Sequence, residues 1–100
     1  MIKLFQFLAA EKKEFVLSKQ VLRSGTSIGA NIEEANQGES KADFIHKLCI
    51  ANKEAFETNY WLRLLRDSNI ITPKQSESLI NDCEELQKLL TASIKTLKNN

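Results

Sequence analysis

Apolar residues recur every three or four positions along most of the chain, which is the spacing of one face of an α-helix. No alternation of apolar and polar residues, the pattern of a half-buried strand, persists anywhere. Four helical segments are separated by short polar stretches, and short connections leave neighbouring helices antiparallel. The pattern therefore predicts an all-α protein, an antiparallel up-down four-helix bundle, with residues 1–100 as a single domain.

The first two predicted helices differ in length. The first is short, with Ile2, Phe5 and Leu8 on one face and an end near Ala10, and the polar segment EKKE forms the turn after it. The second begins near residue 16 or 18 and is predicted to stop at Gly38, because glycine commonly terminates helices. Its apolar or small positions alternate four and three apart: Val21, Gly25, Ile28, Ile32 and Ala35.

The third predicted helix follows Ser40, an N-cap residue with Asp43 three positions on. Its first apolar face repeats with the seam spacing of a bundle: Phe44, Leu48, Ala51, Ala55, Thr58, Leu62 and Leu65. A second apolar face comprises Ile45, Cys49 and Phe56, with Ile50, Trp61 and Leu64 nearby. A helix that is apolar on two sides is buried on two sides, which predicts a surface for a partner.

The fourth predicted helix has three agreeing start signals. Thr72 is the cap, Pro73 lies in the first turn, and Gln75 completes a capping box. The apolar stripe of this helix comprises Cys83, Leu86, Leu90, Ile94 and Leu97.

The segment RSGTSIGANIEEA, residues 23–35, places Gly25 and Gly29 inside the second helix. An interior glycine costs a helix about 1 kcal/mol relative to alanine. Glycines four residues apart lie on one helix face and let another backbone approach closely. A phosphate-binding loop is the alternative, but the chain lacks GKS, GKT, GxGxxG and a preceding strand. We therefore expect close packing at both glycines.

A polar stripe lies on another face of the second helix: Arg23, Ser27, Asn31 and Glu34. The third helix offers Glu54 and Glu57 as partners. The pattern alone fits either a solvated face or a partly buried Arg–Glu network that fixes helix register.

Composition and charge limit the binding partners and the reactions that are expected of the chain. The net charge of +1 gives no strong field toward nucleic acid or an anionic membrane, and no apolar run is long enough to span one. Cys49 and Cys83 are expected to be reduced thiols of a cytoplasmic protein. Asp43 and His46 form only half of a bundle metal site, and His46 with Cys49 lacks an orienting group for nucleophilic catalysis. We expect no enzyme activity, no metal and no cofactor.

The motifs LSKQVLRSGTSIGANIEEA and SKADFIHKLCIANKEAFETNYWLRLL resemble the four-helix-bundle family of 23S rRNA intervening-sequence proteins. The resemblance covers roughly residues 15–97 and implies a bundle that assembles into a ring-like homopentamer. A related branch, the accessory proteins of diversity-generating retroelements, binds a reverse transcriptase and nucleic acid. Two features depart from the family: the first helix is short, and the strongly basic surface of the retroelement branch is missing.

With this resemblance, the polar stripe is expected at helix or subunit contacts. The candidate contact residues are Arg23, Gly25, Ser27, Ile28, Gly29, Asn31, Glu34, Glu54, Glu57, Tyr60 and Trp61. The expected function is that of a non-enzymatic homo-oligomer, a pentamer, that engages RNA or an RNA-binding protein. The alternative is a protein-interaction or structural module with no nucleic-acid role.

Overall fold

The computed structural model describes residues 1–99, which form four helices: α1 (Ile2–Glu11), α2 (Val16–Asn36), α3 (Lys41–Asp67) and α4 (Pro73–Lys98). No strand occurs among these residues, so the predicted all-α fold is confirmed. The predicted end of α1 at Ala10 is early by one residue.

Helix α3 lies between α2 and α4 and packs against both, while α1 packs against α2. Side-chain contacts show that neighbours are antiparallel. Ser24 of α2 contacts Thr58, whereas Glu34, later in α2, contacts Lys47, earlier in α3. The α3–α4 pair likewise joins Asn59 to Gln87 and Asn52 to Thr91.

Side-chain capping explains where α3 and α4 begin. The Ser40 side chain accepts a hydrogen bond from the Asp43 backbone N–H, and Thr72 and Gln75 form the full predicted capping box. The predicted stop of α2 at Gly38 is confirmed, because α2 ends at Asn36, Gln37 is the C-cap, and Gly38 directly follows the cap with its N–H donating to the Ala35 carbonyl. Gly38 does not adopt a positive φ angle, so it is not a left-handed helix terminator.

The buried residues form two clusters along the α2–α3–α4 layer. In the covered half, α1 closes the core: Leu8, Leu62 and Leu65 are fully buried, and Met1, Leu4 and Phe7 pack around them. The open half contains no α1 residue among its buried or packed members. Its core comprises Ile28, Ala35, Leu48, Ala51, Ala55 and Leu90, with Ile32, Phe44, Leu86, Ile94 and Leu97 partly buried against it. The short α1 is the physical reason for the difference.

Candidate interaction surfaces

The polar stripe of α2 does form an Arg–Glu network with α3. The guanidinium of Arg23 donates to Glu54 Oε2 at 3.3 Å and to Glu57 Oε2 at 2.5 Å. The Arg23 side chain is 49% exposed and that of Glu54 only 19%. The network therefore lies at the edge of the α2–α3 seam, partly buried on its α3 side and open on its α2 side.

The two carboxyl groups of this network have opposite electrostatic environments. The hydrogen bond from Arg23 holds the pKa of Glu57 below its usual range. Burial raises the pKa of Glu54, and the adjacent Glu57 raises it further, which together outweigh the attraction of Arg23. A single cation thus stabilises one carboxylate more than the other.

The rest of the stripe makes other contacts. Asn31 Nδ2 donates to the Ser27 carbonyl at 2.9 Å and to Ser27 Oγ at 3.0 Å, so these two residues satisfy each other within α2. Glu34 pairs with Lys47 Nζ at 2.9 Å. Lys47 was not among the predicted partners of this stripe. The predicted antiparallel hairpin of α2 and α3 could have identified this pair, because it places the end of α2 beside the start of α3.

A buried polar contact beside the network was also missed. Thr58 Oγ1 lies 2.8 Å from Ser24 Oγ and 2.8 Å from the Glu54 carbonyl oxygen. Ser24 and Thr58 are both fully buried. The sequence signal for this contact was a small hydroxyl residue on each of the two facing helices. Thr58 lies in the predicted apolar stripe of α3, and Ser24 lies next to Gly25 in the stripe of α2.

The two glycines of α2 have different surroundings. A Cβ at Gly25 would overlap the Met1 side chain, so α1 does approach α2 closely there. A Cβ at Gly29 would meet no atom within 4 Å. The expected close packing therefore occurs within the chain at Gly25, whereas at Gly29 no other helix of the described residues comes within that distance of an added Cβ. Ile28, between them, is buried in the open half.

The outer face of α3, defined here by Ile45, Cys49, Ile50, Phe56, Tyr60, Trp61 and Leu64, corresponds to the predicted second apolar face. Phe56 is 56% exposed and Tyr60 is 50% exposed. Tyr60 and Trp61 pack edge to face with ring centroids 5.1 Å apart. The indole Nε1 of Trp61 is buried and has no hydrogen-bond partner among residues 1–99.

The hydrogen bonds that cross the α3–α4 seam join neutral groups, whereas ion pairs cross the α2–α3 seam. Asn59 Nδ2 donates to Gln87 Oε1 at 2.9 Å, and Asn52 Nδ2 donates to Thr91 Oγ1 at 3.1 Å. The Cys83 thiol donates to the Ala55 carbonyl at 3.1 Å, and burial raises its pKa to about 11. A thiol in this state is a poor nucleophile.

An apolar groove runs between α2 and α4 with α3 as its floor; we call it the α2–α4 groove. It consists of two adjoining depressions that share Ile32. The first, about 360 Å³, borders Met1 and is lined by Gly25, Ile28, Gly29, Ile32, Thr58, Leu79, Asp82, Cys83 and Leu86. The second, about 540 Å³, is lined by Ile32, Asn36, Phe44, Leu48, Leu90, Ala92, Ser93, Thr96 and Leu97.

Within residues 1–99, no three His, Cys, Asp or Glu side chains are grouped so as to hold a metal ion. His46 is exposed on α3, and Cys49 is partly buried. Residues 1–99 contain no helix of the length and apolarity needed to cross a membrane.

Two comparisons with known proteins agree with the four-helix fold. The family described as 23S rRNA-intervening sequence protein matches residues 1–92. A crystal structure from Bacteroides thetaiotaomicron VPI-5482, described as a protein with unknown function from the S23 ribosomal protein family, is 61% identical with a TM-score of 0.92. The match covers 94% of this chain and 87% of that chain. No curated protein matches the sequence.

Proposed function

Since the chain belongs to the 23S rRNA-intervening sequence protein family, we propose that it is a non-enzymatic, homo-oligomeric bundle that associates with RNA or with an RNA-bound protein in the cytoplasm. The observation that carries the assembly is the part of the outer face of α3 around Tyr60 and Trp61. Half-exposed Tyr60 packs against Trp61 there, beside partly buried apolar neighbours. Aromatic residues in such a patch are typical of protein interfaces.

The number of subunits that we propose is five, as the family resemblance implies. A ring of five chains presents five copies of every remaining surface, so weak contacts with a repeated or flexible partner gain avidity. This gain makes a small, non-enzymatic chain of the proposed kind useful as an adaptor.

The proposed assembly is tested by light scattering after gel filtration. We expect a molar mass close to five times the 11.4 kDa of the chain. Tyr60→Asp places a charge on the outer face at a half-exposed position and is expected to reduce the mass toward that of one chain. Leu89→Asp is the matched control, because Leu89 is 60% exposed but lies on α4. A monomeric wild-type protein, or a Tyr60→Asp variant of unchanged mass, would contradict the proposal.

The association with RNA is supported by the family and by one local feature. Phe56 lines a depression of about 420 Å³ between α3 and α4 together with Lys88 and Lys95. Lysines that flank an exposed aromatic ring match the chemistry of single-stranded nucleic acid, since phosphates pair with the cations and bases stack on the ring. The negative charge of Glu84, which lines the same depression, weakens the attraction of the lysines for phosphates. In a ring of five chains, five copies of the depression would compensate for weak binding by one copy.

Binding is measured as retention of a labelled single-stranded RNA oligonucleotide over a series of salt concentrations. We expect retention that falls steeply as salt rises, because counterions are released when lysines meet phosphates. Lys88→Glu with Lys95→Glu should abolish it, whereas Lys19→Glu, an exposed lysine on α2, should have a smaller effect. Absence of retention even at low salt would favour the alternative function, a protein-interaction or structural module without nucleic acid.

A further inference from the structure

The depression of about 420 Å³ between α3 and α4, which we call the Phe56 depression, contains hydrogen-bonding groups besides its lysines. Glu84 and Gln87 line it from α4. They are three residues apart and are therefore neighbours on one helix face. Phe56 lines it from α3 and is 56% exposed. The depression thus combines an aromatic ring, a carboxylate and a carboxamide.

A chain of hydrogen bonds across the α3–α4 seam sets the orientation of the Gln87 amide. Arg63 Nε donates to Asn59 Oδ1 at 2.8 Å, and Asn59 Nδ2 donates to Gln87 Oε1 at 2.9 Å. A guanidinium can only donate, so the Asn59 atom that faces it must be the oxygen. The Asn59 nitrogen then faces Gln87, which must present its own oxygen in turn. Asn59 is only 7% exposed, so this arrangement is held in the seam, and Gln87 Nε2 is left to donate to a ligand.

The Glu84 carboxylate complements this donor. An ionised carboxylate has two oxygens and only accepts hydrogen bonds. Arg66, which lines an adjoining depression together with Glu84, pairs with Asp67 at 2.9 Å. The Glu84 side chain itself is exposed. Its two oxygens are therefore available to a ligand that carries two adjacent N–H groups.

We propose that the Phe56 depression selects an unpaired guanine base of single-stranded RNA. Guanine presents adjacent N–H groups at N1 and N2, next to the carbonyl oxygen O6, whereas adenine, cytosine and uracil each have a single N–H donor group on the corresponding edge. The N1 and N2 groups match the oxygens of Glu84, O6 accepts from Gln87 Nε2, and the base stacks on Phe56. This selection rests on the proposed association with RNA, in which the lysines of the same depression pair with phosphates.

Glu84 consequently has two opposite effects on RNA. Its charge weakens the attraction of the lysines for every phosphate, and two hydrogen bonds offset this loss only when the base is guanine. With any other base, one oxygen of Glu84 faces an acceptor atom of the base, which disfavours that base. The depression thus gains specificity and loses general affinity.

The test measures the fluorescence anisotropy of labelled single-stranded RNA oligonucleotides of one length mixed with the full chain. The first oligonucleotide has isolated guanines in a uridine sequence, and two others have adenine or inosine at the same positions. Inosine keeps the N1–H group and O6 but lacks the N2 amino group. We expect the wild-type chain to bind the guanine RNA about tenfold more tightly than the adenine RNA, with the inosine RNA between them.

Two variants locate the site. Glu84→Gln replaces one accepting oxygen with a donating amide, so it is expected to lose most of the preference for guanine over adenine and inosine. Glu85→Gln is the matched control, because Glu85 is exposed on α4 but is not among the residues that line the depression. It removes the same charge and should keep the preference. Circular dichroism checks that both variants fold, and the inosine RNA tests the contact in the unaltered chain.

Guanosine monophosphate identifies the source of the base. It is expected to displace the guanine RNA only at an excess of at least about tenfold, because it offers one phosphate where the RNA offers several. Displacement at equal concentration would mean that the depression takes a free guanine nucleotide, and it would overturn the assignment to RNA.

Three other outcomes would overturn the guanine site and leave the association with RNA standing: equal binding of the guanine and adenine RNAs by the wild-type chain, a guanine preference that persists in Glu84→Gln, or an equal loss of preference in Glu85→Gln. Absence of binding to every oligonucleotide even at low salt would overturn both the site and the proposed association with RNA. The two failures are therefore distinguishable.

Discussion

The covered and open halves of the bundle are built from the same three long helices and differ in one element. In the covered half, Leu8 from α1 completes the core, and Leu62 and Leu65 are fully buried. In the open half, equivalent stripe positions of α2 and α4, such as Ile32 and Leu97, remain partly exposed. An apolar stripe therefore specifies which face of a helix is available for burial, while burial itself depends on an element elsewhere in the chain.

The difference in burial predicts the largest contrast in stability. Leu62→Ala removes a fully buried side chain from the covered half and is expected to lower the free energy of unfolding by about 3 to 5 kcal/mol, because a cavity remains in a closed core. Leu97→Ala in the open half should lower it by about 1 kcal/mol, since water already reaches that side chain. Urea unfolding measures both; equal losses would show that the open half is covered in solution.

A second contrast concerns polar contacts between helices. Thr58→Val removes a hydroxyl that contacts buried Ser24, leaving the Ser24 hydroxyl with only a 3.5 Å contact to the Val21 carbonyl. The expected loss is about 1 to 2 kcal/mol, the usual effect of an unsatisfied buried polar group. Thr91→Val removes an exposed partner of Asn52 on the α3–α4 seam and serves as the control, with an expected loss of about 0.5 kcal/mol. Thermal unfolding of both variants checks the ranking, and a reversed order would contradict it.

The two glycines of α2 extend the comparison, because a Cβ at Gly25 would meet Met1 of the covered half whereas a Cβ at Gly29 would meet no atom within 4 Å. Gly29→Ala is expected to raise the free energy of unfolding by about 0.5 to 1 kcal/mol, since alanine favours the helix and the added Cβ meets nothing. Gly25→Ala should gain less, because the Met1 side chain must move aside. Urea unfolding of the two variants tests this order, and a destabilised Gly29→Ala variant would show that another helix contacts Gly29.

The smallest predicted effects come from the Arg23 network and depend on pH. Glu57 has a lowered pKa, so its stabilising contribution is present above its usual pKa and is lost as pH falls through the folded value. Glu54 has a raised pKa, so its ionised form opposes folding at neutral pH and this penalty disappears as pH falls. At pH 7, Glu57→Gln should destabilise by about 0.5 kcal/mol, within the range of exposed ion pairs, and Glu54→Gln should be neutral or stabilising.

The measurement is the midpoint of urea unfolding for both variants and the wild type between neutral and acidic pH. The difference between Glu57→Gln and wild type is expected to vanish in acid, once Glu57 itself is protonated. A Glu54→Gln variant that is less stable than Glu57→Gln at pH 7 would mean that Arg23 stabilises Glu54 more than Glu57, contrary to the observed geometry.

The sequence alone determined the local features of this protein. The Ser40 cap and the Thr72 capping box were predictable because capping depends on residues within one turn of each other. The stripe from Leu48 to Leu65 on α3 was predictable because helical periodicity assigns residues to faces. The two long motifs also identified the family, which the match over residues 1–92 confirms.

Only the tertiary structure decided which of those faces meet. It showed that Arg23 contacts both Glu54 and Glu57 at a half-exposed edge, that Ser24 contacts Thr58 in the core, and that Gly29 faces open space whereas Gly25 contacts Met1. The physical reason is that these contacts depend on the lateral arrangement of helices and on the length of α1. Periodicity along one helix carries no information about how far a neighbouring helix extends.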